Sequence, residues 1–327
     1  MKLHSALPVI ALSVASMGTA GACTFGAIAV RNVGTFFRTP DEVENPIADP
    51  VRPEAKLAVL WVGHATALVQ IGDKLILTDP VFTSTVGGLS RRLVAPGIAP
   101  EHLPRVDVAL VSHRHFDHLS PATFRLLRGK LTNVLVPVGA AADIPKGSYR
   151  VEEVPYWRQW RKNGLIVTAV PVDHDGGRFL DSGSHPQAFT GYVIQYQGIT
   201  VYFPGDTAYR ESLFADVARR FGPIDLALLP IGPIAPPEIM FKHHLNPPQA
   251  LQAANDLHAA VMVPIHFATF INSLDARGDC EAALEEALRR GQAGPVKVEK
   301  LQIGGQAVIV ATGGRIPLSL DASQRRQ

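Results

Sequence analysis

Three histidines and an aspartate fall within six consecutive positions, His113 to His118, in the stretch VSHRHFDHLS. Imidazole and carboxylate are ligands for divalent transition metals. His113 and His115 stand two apart, just past the apolar run DVALV. In extended backbone, residues i and i+2 point the same way, so both rings can converge on one ion. Asp117 and His118 follow where the chain turns and adjacent side chains diverge, which favours a second ion beside the first. Ligands so close together cannot complete either shell, so the rest must come from elsewhere in the chain.

Three further candidates close other apolar runs. His174 follows LIVTAVPVD, Asp206 follows ITVYFPG with Gly205 permitting a tight turn, and His266 follows AVMVPI. Taken singly, a strand-end aspartate is an ordinary turn or helix-cap residue. Together the seven supply three ligands per ion and one carboxylate able to bridge both. That set fits a two-metal hydrolytic site with room for a bridging water.

The elements that must position these residues are legible from apolar periodicity. Residues 57–82 hold three apolar runs, with Gly72-Asp73 as a hairpin turn between the second and third. A strand leads into the histidine cluster, and Ser120-Pro121 reads as a capped helix start. Strands are expected at LIVTAVPV, TGYVIQY, ITVYFPG, IDLALLPIG and AVMVPIH, and helices at ESLFADVARRF, PPQALQAANDLH and CEAALEEALRR. Two runs, VKVEKLQIG and QAVIVATG, close the series. Hairpins followed by alternating strands and helices argue for layered α/β architecture with mixed sheets.

Composition narrows the function. The chain has 327 residues, 46% of them apolar, enough for a substantial core, and a net charge of +2 gives no footprint for nucleic acid. Two cysteines exclude a cysteine-rich zinc module. Residues 1–31 have the anatomy of an export leader: Lys2, an uncharged apolar stretch, then Ala20-Gly21-Ala22 before Cys23. Ordinary cleavage, lipidation of Cys23 and an uncleaved anchor all suit it, so the protein is expected to be exported, either periplasmic or held at a membrane through its N-terminus. Residues 32–56 read as a proline-containing linker or arm, 57–315 as the hydrolase domain and 316–327 as a polar tail. Cys280 is expected to be structural.

The pattern H-x-H-x-D-H with separate His, Asp and His resembles the metallo-β-lactamase superfamily. Within it, the chain resembles the N-acyl-phosphatidylethanolamine phospholipase D-like branch. The resemblance runs through WVGHATALVQIGDKLILTDPVF, SHRHFDHLS, FPGDTAY, RFGPIDLALLPIG, HLNPPQA and PIHFATF, roughly Leu57 to Gly305. It implies a four-layer αβ/βα sandwich, two mixed β-sheets face to face with helices outside and metals at one edge. It places His113, His115 and His174 on one ion, Asp117, His118 and His266 on the other, and Asp206 between them. Zinc is the ion such ligands suit, with manganese or iron as alternatives. Asp117 and Asp206 are then also catalytic, and His244 lies near the reacting group, steadying an anion or delivering a proton. Asp79 would orient a ligand histidine, and His64 would stand beside the site or serve as a core histidine. Trp157 and Arg178 match substrate-side positions. The implied reaction is hydrolysis of a phosphodiester by a hydroxide shared between two metals, on a phospholipid or small-molecule substrate.

Departures from the branch surround the substrate and spare the ligands. His174 lies between Asp173 and Asp175, where the branch carries Gln and Trp. Pro233 to Met240 replaces an aromatic, an acid and an arginine, and Pro155 stands where an acid is common. Alternatives on the same fold are a lactonase or another phosphodiesterase. Asp206 argues against a β-lactamase, and the complete ligand set against a non-catalytic metal-binding protein. Oligomeric state is left open by the sequence.

Overall fold

The computed structural model describes residues 19–33, 38–44, 46–88, 90–178 and 188–312. Most of the leader (1–18), the side chain of Cys23 and the tail 316–327 lie outside the described residues. A helix, α1 (Thr19–Val33), precedes the sheets. The chain then runs through β1 (Ala55–Gly63), β2 (Thr66–Ile71), β3 (Lys74–Thr78) and a small hairpin of β4 (Thr85–Val86) and β5 (Ser90–Arg91). Next come β6 (Val108–Leu110), α2 (Pro121–Leu126), β7 (Asn133–Val136), β8 (Arg150–Glu153), β9 (Gln159–Lys162) and β10 (Leu165–Val170). β11 (Gly191–Tyr196), β12 (Ile199–Phe203), α3 (Glu211–Phe221), β13 (Leu226–Pro230) and the short α4 (Pro237–Met240) follow. The series ends with α5 (Pro247–Asp256), β14 (Val261–Ile265), α6 (Asp279–Arg289), β15 (Lys297–Val298) and β16 (Gln306–Ala311).

Two seven-stranded sheets result, in the orders β16-β1-β2-β3-β6-β7-β8 and β15-β14-β13-β12-β11-β10-β9. Each is antiparallel through its first-formed hairpins and turns parallel afterwards, at β3–β6 in one and β12–β13 in the other. The inner faces meet in a core that joins Leu57, Val59 and Trp61 to Val167, Tyr192, Val201 and Leu228. The outer face of the second sheet is covered by helices. Phe214 and Val217 of α3, Ala250 and Leu251 of α5 and Leu284 of α6 pack on it at helical spacing. α2 covers the first sheet through Phe124. Both faces of each central strand are therefore dry, which is why the strands read as continuous apolar runs. The fold is the expected αβ/βα sandwich.

Gly72 adopts φ +56 in the turn between β2 and β3, where the hairpin was expected. Ser120 caps α2 as expected, accepting from Thr123 N. The last two strands never meet: β15 pairs with β14 and β16 with β1, so each completes a different sheet. The short strands β7, β8 and β9, four residues each, gave no distinct sequence signal. Cys280 is buried under the second sheet, in the structural place expected of it. Sequence reading set residues 1–31 apart from the fold, yet Arg31 and Asn32 of α1 hydrogen-bond to the domain, at Ser273, Asp275 and Ile271.

Candidate metal centre

The polar residues that end the buried strands gather at one edge of the sandwich. β3 runs into Asp79, β6 into Ser112 and the histidine loop, β12 into Asp206, β14 into His266, and β10 leads to His174. Several of these ends are bent sharply. His64, Asp79 and His266 have φ of 56°, 29° and 67°, conformations that cost a non-glycine residue of order 1–3 kcal/mol each. Here the bend turns each side chain off its strand and into the cluster. Gly205 (φ +65) makes the corresponding bend before Asp206.

Among the described residues the ligand atoms gather into four overlapping groups, two of which carry the expected ligand sets. In the first, His115 Nδ1 lies 2.9 Å from His113 Nε2 and 3.3 Å from His174 Nε2. In the second, His118 Nε2 lies 3.1 Å from His266 Nε2 and 4.0 Å from Asp117 Oδ2. Asp206 stands between them. Its Oδ2 is 3.2 Å from His118 Nε2, 3.9 Å from His174 Nε2 and 4.0 Å from His113 Nε2, while Oδ1 is 3.2 Å from His266 Nε2. A zinc ion with Zn–N bonds of about 2.0–2.1 Å gathers tetrahedral ligand atoms about 3.3–3.4 Å apart. The spacing inside each group is of that size.

The opposite nitrogen of every imidazole is committed to a hydrogen bond, which fixes the tautomer. His118 Nδ1 donates to Asp79 Oδ2 at 2.6 Å, His266 Nδ1 to the Gly232 carbonyl at 2.9 Å and His174 Nδ1 to the His243 carbonyl at 3.0 Å. His115 Nε2 donates to Asp175 Oδ1 at 3.0 Å. Ser112 Oγ gives its proton to Asp79 Oδ2 and can accept from His113 Nδ1, 2.9 Å away. In a neutral ring, each inward nitrogen is thus left as a lone pair. Asp206 Oδ1, though buried, has no hydrogen-bond partner and faces the lone pair of His266. Two facing lone pairs are what an intervening cation would satisfy, so the donor set fits a divalent metal.

Protonation follows the same logic. Burial, with neighbouring histidines, holds His113 well below the usual histidine range, and burial brings His174 down to about 4. Burial opposes ionisation of Asp206 and Asp117, but facing histidines, His118 foremost, hold both well below the usual carboxylate range. Burial would lower His118 too, but Asp206, Asp79 and Asp117 outweigh it and hold its pKa well above normal. Mostly neutral imidazoles beside ionised carboxylates are the protonation state that binds a cation.

The remaining expected residues separate. Asp79 lies fully buried against His118 and Ser112. His64 donates Nε2–H to Asp117 Oδ2 at 3.0 Å, packs on the His266 ring, and burial lowers its pKa to about 3. His244 stacks on His266 with its Nδ1 3.5 Å from Asp206 Oδ2 and no hydrogen-bond partner. Arg178 Nη1 donates to the carbonyls of Arg114 and Leu119, and the guanidinium lies over Phe116. It braces the histidine loop. Trp157 packs with the helix-side core of the second sheet beneath Arg220, outside the ligand cluster. Sequence reading missed Ser112, Asp175, the Gly232 and His243 carbonyls, and Asn272, whose Nδ2 is 3.5 Å from Asp117 Oδ2. Only Asp175 carried a signal, as a carboxylate beside a ligand histidine.

A family model described as a beta-lactamase superfamily domain matches residues 74–267. The N-acyl-phosphatidylethanolamine-hydrolyzing phospholipase D 1 of Caenorhabditis elegans is 32% identical over 250 residues, 70% of this chain and 68% of the worm protein. An uncharacterized protein of Mycobacterium tuberculosis is 36% identical over 242 residues, covering 69% of this chain and 63% of its own length. The chain therefore spans about two thirds of these relatives. Among solved structures, the metallo hydrolase Igni18 of Ignicoccus hospitalis superposes with a TM-score of 0.58 at 21% identity, covering 77% of this chain and 97% of that one.

Proposed function

Since this chain belongs to the metallo-β-lactamase superfamily and is a metal-dependent hydrolase, we propose that it is a binuclear phosphodiesterase of the N-acyl-phosphatidylethanolamine phospholipase D type. The observation that carries the two-metal part is the position of Asp206, whose two oxygens reach toward both groups of imidazoles. Similarity to the worm phospholipase supports the substrate class.

His113, His115 and His174 would hold one ion and Asp117, His118 and His266 the other, with Asp206 shared. Bound there, zinc or a similar ion pair supplies a water acidified to near neutrality and polarises an oxygen of the scissile ester. The chain's own residues do the rest. Asp79, Ser112, Asp175 and the Gly232 and His243 carbonyls hold five imidazoles in one tautomer and one orientation. His64 fixes the rotation of Asp117. Burial keeps His244 well below the usual histidine range, so it is neutral at pH 7. A neutral imidazole there offers an N–H to an anion developing beside Asp206, rather than a proton to give away.

Beside the centre lies a cavity of about 270 Å³ touched by His64 and His266. Its walls combine Phe267, Phe270 and Ile271 with the charged side chains Arg38, Arg277, Asp275 and Glu281, a lining part apolar and part charged. Export, with the protein free in the periplasm or held at a membrane through Cys23, belongs to the same proposal and would bring it to phospholipid.

The test is incubation of the zinc-supplemented protein with N-acyl-phosphatidylethanolamine, followed by mass spectrometry, with Asp206→Ala as control. Phosphatidic acid and N-acylethanolamine are expected from the wild type alone. Intact lipid in the presence of two bound metals would refute the substrate and leave lactones and other phosphodiesters to be screened.

A further inference from the structure

The loop after β14, residues 267–275, touches the candidate centre on its inner side. Thr269 Oγ1, fully buried, accepts from His64 N at 2.7 Å, and Asn272 Nδ2 lies 3.5 Å from Asp117 Oδ2. His64 in turn holds that same Asp117 oxygen and, through its carbonyl, the backbone N–H of His266 at 3.0 Å. Two of the three second-group ligands are therefore set by this loop.

Its outer side is held by α1. Arg31 Nη1 donates to the Ser273 carbonyl at 2.8 Å and Nη2 to the Asp275 carbonyl at 2.5 Å. The Asn32 amide, itself only 4% exposed, donates to the Ile271 carbonyl at 2.9 Å and accepts from Arg91 N at 3.3 Å. These contacts bracket Asn272 on both sides. A planar guanidinium spanning two carbonyls fixes their separation, which a single donor cannot do. The cavity beside the centre is lined by the same pieces, Arg31 and Asn272 among them.

We propose that α1 is a positioning element of the active site: Arg31 and Asn32 clamp residues 271–275 so that Asn272 and Thr269 hold Asp117 and His64 in place for the second metal. The idea rests on the two-metal reading of the site. It assigns a role in the site to residues that stand at the junction of leader and linker in the sequence.

The experiment is chelator competition on the full chain, following metal retained per protein for the wild type, Arg31→Ala, Asn32→Ala and Asn272→Ala. All three variants are expected to release one metal equivalent at a chelator concentration about 10-fold lower than the wild type, the scale seen when a group supporting a ligand is lost. The other equivalent should stay as tightly held. Unchanged retention in the Arg31 and Asn32 variants overturns the proposal, and so does equal loosening of both metals, which would mean general destabilisation. A wild type holding one metal brings down the two-metal reading itself, and this inference with it. Failure to cleave the lipid, by contrast, leaves the retention profile as a complete test.

Discussion

Asp79 and His118 are hydrogen-bonded at 2.6 Å with neither side chain exposed to solvent. The carboxylate also takes the backbone N–H and the hydroxyl of Ser112, so it cannot swing away from the ring. Asp79→Asn keeps the volume but removes the charge and offers a single acceptor oxygen to those partners. Affinity for one of two metals should fall about 10–100-fold, the usual cost of such a loss. Metal content after dialysis against graded chelator is the measurement, and an unchanged curve would show the bond to be incidental.

His244 should separate binding from turnover. Its ring lies with Asp206 and His266 in one possible ligand group, but apart from the converging nitrogens of His113, His115 and His174. His244→Ala is expected to retain both metals while kcat falls about 100-fold, within the range for a lost stabilising donor. Loss of a metal equivalent in this variant would make His244 a ligand instead.

Arg178 should behave as a brace. With Nη1 on the Arg114 and Leu119 carbonyls, Arg178→Ala removes two hydrogen bonds from the loop that carries His115, Asp117 and His118. Melting temperature and metal retention are expected to drop together, by about 1–3 kcal/mol of stability. A raised KM with melting temperature and metal content intact would restore its expected role at the substrate.

Gly205→Ala tests the bend before Asp206. A methyl there would overlap Ser112 Cβ and Oγ, in a backbone conformation with φ +65 that L-residues rarely adopt. Ser112 cannot yield without releasing Asp79 and His113. The expected result is a loss of about 2–4 kcal/mol with reduced metal content, since strain and overpacking add. Wild-type denaturant midpoint and metal content would contradict it.

Metal-stripped protein should be most stable near neutrality. Burial lowers His64 from 6.5 to about 3 and His174 to about 4. Unfolding lets each take up a proton below pH 6.5, so stability falls as the pH drops toward 4, by about 1.4 kcal/mol per pH unit for each such histidine. His118 runs the other way. Its folded pKa is raised, so its contribution is present below 6.5 and is lost as pH rises through the folded value. Melting curves from pH 4 to 9 should peak near neutrality, and His64→Gln should flatten the acid limb. A monotonic profile would rule out the burial of neutral imidazoles.

The fold and the seven ligand candidates were legible because both rest on local signals: apolar runs of strand length, each ended by a polar residue. The supports were not. Ser112 is an ordinary serine until β3 brings Asp79 beside it. The Gly232 and His243 carbonyls carry no side-chain signature at all. Asn272 is 155 residues from Asp117. The left-handed backbone of His64, Asp79 and His266 is imposed by tertiary packing against local preference, which no pattern in the residues announces. Trp157 and Arg178, expected on the substrate side, contact Arg220 and the histidine loop respectively.

β1 pairs with β16, from Ala55 with Ala311 to Leu60 with Gln306. The strand that a ribosome delivers first is flanked on its outer side by one of the last to appear. Until then the partial chain carries an apolar strand with an open row of backbone donors and acceptors, the kind of edge that recruits other chains. The first sheet therefore cannot close until residues 306–311 have been made. A chain built this way gains from being kept extended until it is whole, and a break anywhere before Gln306 should yield aggregate rather than a smaller enzyme.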